Sequence, residues 1–249
     1  MDASVSTARR HPAKHGLARV LSKRGVCSRT RAQEWIRQGR VSVAGKIIRD
    51  PEFPTSPDSD AITIDGKPLT ARVPIHLMLN KPRGLVTTAV DERGRETVYR
   101  CFEGAGLDWI APVGRLDKAS EGLLLFSNDP QWAARITDPL TGPDKTYHVQ
   151  VDAIPNAAQL SAMIAGIDAD GERLNAKSAR LLRMGEKNAW LEVVLDEGRN
   201  RQIRRLLASF DIEVLRLVRV AIGDLALGEL PKGQWRMLTA EESASLSPP

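Results

Sequence analysis

Residues 114–129, which read GRLDKASEGLLLFSND, are the most informative stretch of the sequence. Its apolar part, LLLFSN (123–128), predicts a strand. Asp117 lies just ahead of the Ser-Glu-Gly turn that leads into this strand, so its carboxylate is expected to be loop-borne and partly buried. Taken alone, an Arg-Leu-Asp tripeptide most often caps a turn or pairs with a neighbouring arginine, and only its context can give Asp117 a chemical role.

Strand and helix patterns alternate around this stretch. Strands are predicted at residues 76–80, 145–151 (KTYHVQV) and 190–195 (WLEVVL), with a further strand pair in VLRLVRVAIGDL (214–225). Helices are predicted after Pro130, at 157–164 and, as an amphipathic helix, at 199–210. The pattern indicates an α+β domain built on a mixed antiparallel sheet over residues 75–240. Residues 241–249 are polar and are expected to be a flexible tail.

The first 70 residues follow a different pattern. Residues 1–15 lack hydrophobic periodicity and are expected to be a disordered basic arm. A first helix is predicted at about 17–24, and a second from its N-cap Ser28 to Gly39. Short strands are predicted in 41–48 and 61–64. These elements predict a small N-terminal α/β domain over residues 16–70, followed by a short linker.

Positive charge is concentrated at the N-terminal end. The protein has a formal charge of +5, but its first 49 residues contain twelve Lys or Arg and only two acidic residues. Such a block favours a polyanionic partner, nucleic acid first, and the alternative is a solvated basic face. Seven basic residues of the predicted domain lie off the apolar stripes of its helices and are candidate phosphate contacts, namely Arg19, Lys23, Arg24, Arg29, Arg31, Arg37 and Arg40.

Several other classes of protein find no support in the sequence. No apolar run reaches the roughly 18 residues of a membrane span, and the N-terminus lacks the apolar stretch of a secretory signal, which favours a cytoplasmic protein. The two cysteines and four histidines show no metal-ligand spacing, so no metal is expected. Ser120 lacks the preceding glycine of a nucleophile elbow. Gly114 and Gly122 do not form a phosphate-binding loop.

Two known families match these motifs. The stretch LSKRGVCSRTRAQEWIRQGRVSVAGKII (21–48) resembles the alpha-L RNA-binding domain, which implies binding of structured RNA over roughly residues 16–70. GRLDKASEGLLLFSND resembles the active-site motif of the pseudouridine synthases, in particular the RsuA-type branch that modifies ribosomal RNA. Further blocks match in the expected order, namely NKPRG (80–84), KTY (145–147) and EGRNRQIRR (197–205). The resemblance covers nearly all of residues 16–240.

The resemblance implies a role for each matched residue. Asp117 would be the catalytic nucleophile, which either attacks the ribose carbon or removes a ribose proton while the uracil changes its attachment from nitrogen to carbon five. Arg204 would pair with this aspartate, and Tyr147 would stack on the target base. Arg115 would brace the stack that a flipped nucleotide leaves behind. Lys81 would be mostly structural. No cofactor or metal is implied.

The resemblance also implies the partner, which is ribosomal RNA or a ribosome-assembly intermediate, bound by a protein for which nothing requires more than a monomer. The catalytic half resembles most closely a large-subunit branch that usually lacks the N-terminal domain, so the target uridine stays open. The alternative function is a ribosome-assembly factor that binds RNA and has lost the reaction. The presence of Asp117, Tyr147 and Arg204 together argues against that alternative.

Overall fold

A computed structural model describes residues 14–56, 61–70, 73–89 and 91–247. The chain divides into two compact units, residues 1–73 and 74–249. The predicted arm, residues 1–15, lies outside the described residues except for its last two. The elements of the first unit are β1 (His15–Gly16), α1 (Leu17–Lys23), α2 (Arg29–Arg37), β2 (Val41–Val43), β3 (Lys46–Ile48), β4 (Pro54–Thr55), β5 (Ile62–Ile64) and β6 (Lys67–Pro68).

The first unit packs its two helices on one small hydrophobic core. Ser28 is the N-cap of α2, and its hydroxyl oxygen accepts a hydrogen bond from the backbone N–H of Arg31 at 3.1 Å, as the sequence predicts. Leu17 and Leu21 of α1 meet Ile36 of α2 in this core. Strands β3, β2, β5 and β6 form an antiparallel sheet in that order, while β1 pairs with β4.

The second unit contains the larger sheet. Its strands are β7 (His76–Lys81), β8 (Ala111–Val113), β9 (Glu121–Ser127), β10 (Lys145–Val151), β11 (Ile167–Ala169), β12 (Glu172–Leu174), β13 (Ser178–Met184), β14 (Ala189–Leu195), β15 (Val214–Ile222), β16 (Leu225–Ala226) and β17 (Trp235–Met237). Its helices are a 3₁₀ turn (Val98–Phe102), α3 (Pro130–Thr137), α4 (Ala157–Ala165), α5 (Gln202–Ala208) and α6 (Ala240–Ser245).

Nine strands form the main sheet, whose path runs β13-β14-β10-β15-β9-β7-β17, with β16 on β15 and β8 on β9. Its ladders are antiparallel except that β15 and β9 run parallel, with Arg219 opposite Gly122. Gly122 has a φ of +100°, and a Cβ there would lie 2.2 Å from the carbonyl oxygen of Arg219. Only glycine therefore allows β9 to approach β15 this closely. The mixed α+β architecture confirms the predicted fold class.

Strand β9 is buried along its whole length because both faces of the sheet are covered there. Leu124 and Phe126 belong to a core that includes residues of α4 and α5, whereas Leu123 and Leu125 belong to a core on the opposite face with α3. Burial on both faces explains why this strand reads as a continuous apolar run rather than an alternating one. The loop with Asp117 is thereby attached to a strand that is buried at every position.

Two predictions differ from the structure. The helix predicted at 199–210 is shorter, because Arg201 adopts a left-handed conformation with a φ of +50° and α5 starts only after it. The flexible tail predicted at 241–249 is wrong as far as residue 247. Helix α6 begins with a capping box at its N-cap, Thr239, and Leu246 is buried in the core that contains Trp132. One apolar residue in a polar run gave too weak a signal.

No helix in the described part of the chain combines the length and the apolar character that crossing a bilayer requires. The same residues contain no group of three or more His, Cys, Asp or Glu side chains arranged to hold a metal ion.

Candidate active site

A cavity of about 700 Å³ opens in the second unit. Its walls are the loop before β9, the strands β10 and β15, and the segment that leads into α5. The structure brings together here all four residues that the family resemblance assigns to the active site, Arg115, Asp117, Tyr147 and Arg204. They come from three segments of the sequence that are far apart, so their convergence depends on the sheet order.

The loop that carries Asp117 is held from below by Lys81, the last residue of β7. The Lys81 side chain is fully buried, and its ammonium donates hydrogen bonds to the carbonyl oxygens of Pro82 (3.1 Å), Asp117 (3.1 Å) and Ser120 (2.9 Å). The backbone N–H of Ser120 donates to the carbonyl of Asp117 at 3.0 Å. These bonds fix the backbone of the loop and leave the Asp117 carboxylate to the cavity, half-buried as expected.

The buried position of Lys81 makes its charged form unfavourable. Burial lowers the pKa of Lys81 to about 8, although the nearby carboxylates of Asp117 and Glu121 favour the charged form. Glu121 is itself buried, yet its pKa is lowered because hydrogen bonds from Arg216 and Lys232 outweigh the effect of burial. The lysine that the resemblance marks as mostly structural is therefore a titratable support of the Asp117 loop.

Replacing Lys81 with Met is expected to destabilise the protein by about 2–4 kcal/mol at pH 7, because three carbonyl oxygens lose a buried donor. The difference in the free energy of unfolding between wild type and the variant should grow between about pH 8 and 10. The unfolded chain holds the Lys81 proton up to its ordinary pKa near 10.5, so deprotonation of the folded form in this window stabilises wild type and has no counterpart in the variant.

Denaturant unfolding followed by tryptophan fluorescence tests this expectation, since four of the five tryptophans lie in residues 74–249. Lys187→Met, at an exposed position in the turn between β13 and β14, is the control. A difference between wild type and the Lys81 variant that is constant from pH 7 to 10 would contradict the assignment.

Arg204 lies in the cavity. The resemblance implies an ion pair between Arg204 and Asp117, but the two side chains form none in the structure. The Nη1 atom of Arg204 donates to the carbonyl oxygen of Val214 at 3.0 Å, while its Nε and Nη2 are buried without a hydrogen-bond partner. Burial and the charge of Arg201 lower the pKa of Arg204, and the charge of Asp117 acts in the opposite direction. The two residues thus interact through space, and two donors of Arg204 stay available to a third group.

The EGRNRQIRR motif covers the loop before α5 and the first residues of this helix, and its side chains have distinct structural roles. Gln202 is buried, accepts a hydrogen bond from the N–H of Arg199 at 3.0 Å and donates to the carbonyl of Asn175 at 2.8 Å and to the carboxylate of Glu197 at 3.1 Å. Arg205 reaches away from the cavity and contacts the hairpin of β11 and β12, where Glu172 accepts a bond at 2.7 Å. The motif therefore contains anchoring residues on one side and Arg204 on the other.

The cationic side chains of the cavity lie at different depths. Arg115, Arg199 and Arg201 are exposed at its rim, whereas Arg219 of β15 is only 5% exposed. The lining holds six cationic side chains against two carboxylates, the cations being Arg115, Lys145, Arg199, Arg201, Arg204 and Arg219 and the carboxylates Asp117 and Glu197. Sequence reasoning did not single out Arg219 or Lys145. Lys145 opens the KTY block, which was the one available signal.

Four of the seven candidate RNA contacts of the first unit are engaged within the protein. Arg40 forms two hydrogen bonds with Asp65, at 2.9 and 2.6 Å. Arg29 forms an ion pair with Glu52, and Arg31 forms one with Glu34. Arg24 also interacts with another group of the protein. The exposed side chains of the other three form no ion pair among the residues that the structure describes, namely Arg19, Lys23 and Arg37. These three are the best placed to meet phosphates.

A family model for RNA pseudouridylate synthases matches residues 75–209, and a model for the S4 domain matches residues 16–60. The chain belongs to the RNA pseudouridine synthase family. It is therefore an isomerase, and its N-terminal part is an S4 RNA-binding domain. Both resemblances stated from the sequence motifs are confirmed.

Relatives align with nearly the whole chain. An uncharacterized RNA pseudouridine synthase of Aquifex aeolicus is 35% identical over 229 residues, which make up 92% of each chain. The ribosomal large subunit pseudouridine synthase B of Bacillus subtilis is 34% identical over 228 residues, 91% of this chain and 93% of the relative. A crystal structure of a pseudouridylate synthase superimposes with a TM-score of 0.65 at 30% identity, covering 93% of this chain and 99% of the other.

Proposed function

We propose that the protein isomerises a uridine of ribosomal RNA to pseudouridine, with Asp117 as nucleophile and with the target nucleotide flipped out of its stack. The observation that carries this proposal is the convergence of Asp117, Tyr147 and Arg204 in a single cationic cavity. A volume of about 700 Å³ accommodates a nucleoside. A uridine within folded RNA can reach a half-buried carboxylate only by leaving the stack.

The reaction conserves all atoms of the uridine. A carboxylate oxygen of Asp117 attacks C1′ of the ribose as the bond from C1′ to N1 breaks, and its electron pair leaves with the uracil. The ring then turns, and C5 attacks C1′ and displaces the carboxylate. The proton on C5 goes to solvent and N1 takes up another, so the product is an isomer. Tyr147 is 8% exposed and supplies an apolar wall for the turning ring.

Ribosomal RNA of the large subunit is the substrate that we propose. The Bacillus subtilis relative is named for the large subunit, and its alignment covers 91% of this chain, so it extends into the S4 domain. The presence of an N-terminal RNA-binding domain is thus compatible with a substrate in the large ribosomal subunit. The S4 domain supports docking on structured RNA, and the proposed site of action is the cytoplasm.

Transcripts of large- and small-subunit ribosomal RNA with tritium at C5 of uridine test the proposal, offered as free RNA and in ribosomal particles. We expect release of tritium from large-subunit RNA, because the reaction expels the C5 hydrogen. Release from small-subunit RNA alone would reject the choice of subunit. RNA binding without any release would instead favour an assembly factor without catalytic activity.

A further inference from the structure

Arg219 presents an unsatisfied donor at the floor of the cavity. Its side chain is 95% buried, since only 5% is exposed. The Nε atom donates to the carbonyl oxygen of Leu123 in β9 at 2.7 Å, whereas Nη2 is buried without a partner. A buried guanidinium donor without a partner costs free energy in the unbound protein. Such a cost is expected where a ligand supplies the missing acceptor.

Lys145 lies beside Arg219 on the same face of the sheet. Arg219 is the cross-strand partner of Tyr147, and Lys145 precedes Tyr147 by two residues on β10, so all three side chains share one face. Burial and then the charge of Arg219 lower the pKa of Lys145. Within the described ranges of the chain, the Lys145 ammonium donates only to the carbonyl oxygen of Asp196, at 3.3 Å. Two cations therefore converge here with no ion-paired carboxylate among the described residues.

The depth of these groups indicates which part of a nucleotide they meet. A flipped nucleotide enters base first, and its phosphates stay near the surface, where the exposed side chains of Arg115, Arg199 and Arg201 lie. The base would lie against Tyr147, next to Arg219. Uracil carries two carbonyl oxygens, and these share the negative charge when the ring departs with the electron pair of its bond to C1′.

We propose that Arg219, assisted by Lys145, binds a carbonyl oxygen of the uracil and stabilises the negative charge that the ring acquires when its bond to ribose breaks. The inference rests on the proposed function. The unpartnered Nη2 of Arg219 donates to the oxygen, and the positive charge of Lys145 lies beside it on the same face of the sheet. Loss of one such preorganised donor typically lowers a rate by about 10²–10³-fold.

Arg219→Met in the full chain separates this role from a structural one. Met fills similar space without unsatisfied donors, so the unfolding temperature should stay equal or rise, while single-turnover tritium release from large-subunit ribosomal RNA falls by about 10²–10³-fold. RNA affinity and its salt dependence should not change. Arg219→Lys should recover part of the rate, because it keeps the charge but not the planar fork.

The control is Arg236→Met. Arg236 is satisfied by two hydrogen bonds of 2.7 Å to Glu242, outside the cavity lining, so its loss should lower stability and leave the rate unchanged. If Arg219→Met does not fold, Lys145→Met takes its place with the same expected fall in rate.

Three results would overturn the inference. An undiminished rate would remove Arg219 from the reaction. A weaker affinity with a salt slope lower by about 1 would assign Arg219 to a phosphate. A loss of stability large enough to explain the loss of rate would make its role structural. If wild type itself releases no tritium, the proposed function falls and this inference with it.

Discussion

Asp117→Asn is expected to lower the single-turnover rate of tritium release by about 10⁴-fold or more, because an amide can neither attack C1′ nor hold the intermediate. The unfolding temperature and RNA affinity should stay unchanged. The loop is held through the carbonyl of Asp117, which accepts from Lys81 at 3.1 Å and from Ser120 at 3.0 Å. The carboxylate makes no hydrogen bond to any residue that the structure describes.

Asp129→Asn provides a control with the opposite signature. The Asp129 carboxylate caps α3 by accepting hydrogen bonds from the backbone N–H groups of Gln131 at 2.8 Å and Trp132 at 3.2 Å. Asn still caps but without the negative charge, so a small loss of stability with full turnover is expected. Turnover retained by Asp117→Asn would reject Asp117 as the nucleophile, and a fall in both variants would indicate damage to the sheet.

Removal of the three candidate RNA contacts of the S4 domain that form no ion pair within the described part of the chain should have the second largest effect. The variant carrying Arg19→Gln, Lys23→Gln and Arg37→Gln is expected to bind ribosomal RNA more weakly. The slope of log affinity against log salt should fall by about 3, close to 1 for each phosphate that is no longer neutralised. Single-turnover rates at saturating protein should be unchanged, since none of these residues belongs to the cavity lining.

A second triple variant of equal charge controls for the change in net charge. Arg173→Gln, Lys177→Gln and Lys187→Gln remove three exposed cations of the catalytic unit from positions outside the cavity lining. Binding titrations at four or five salt concentrations should show a steeper slope for this variant than for the S4 variant. Equal slopes would mean that the S4 residues act only through the overall charge of the protein.

The elements that sequence patterns predicted best are those with local signals. The alternation of KTYHVQV predicted β10 with its observed ends, and Ser28 marked the start of α2. The matched family motifs also led to the four residues that line the cavity together. Each of these signals lies within a few neighbouring residues, so no knowledge of the sheet order was needed to use it.

The parts that sequence reasoning missed depend on contacts between distant segments. Arg219 becomes a cavity residue because β15 lies between β9 and β10, and no local pattern specifies that order. The support of the Asp117 loop by Lys81 joins residues 36 positions apart. Arg204 belongs to the right motif, yet its contact with Val214 rather than Asp117 depends on side-chain geometry that a motif does not encode.

The placement of β15 has a consequence for biosynthesis. This strand covers Val214–Ile222 and bridges the two halves of the sheet, so the floor of the cavity leaves the ribosome after Asp117 and the S4 domain. A nascent chain that ends before it already contains Asp117 and the S4 domain but leaves the edges of β9 and β10 unpaired. Such long-range pairing folds slowly. The sheet around the cavity is thus incomplete until β15 has been synthesised.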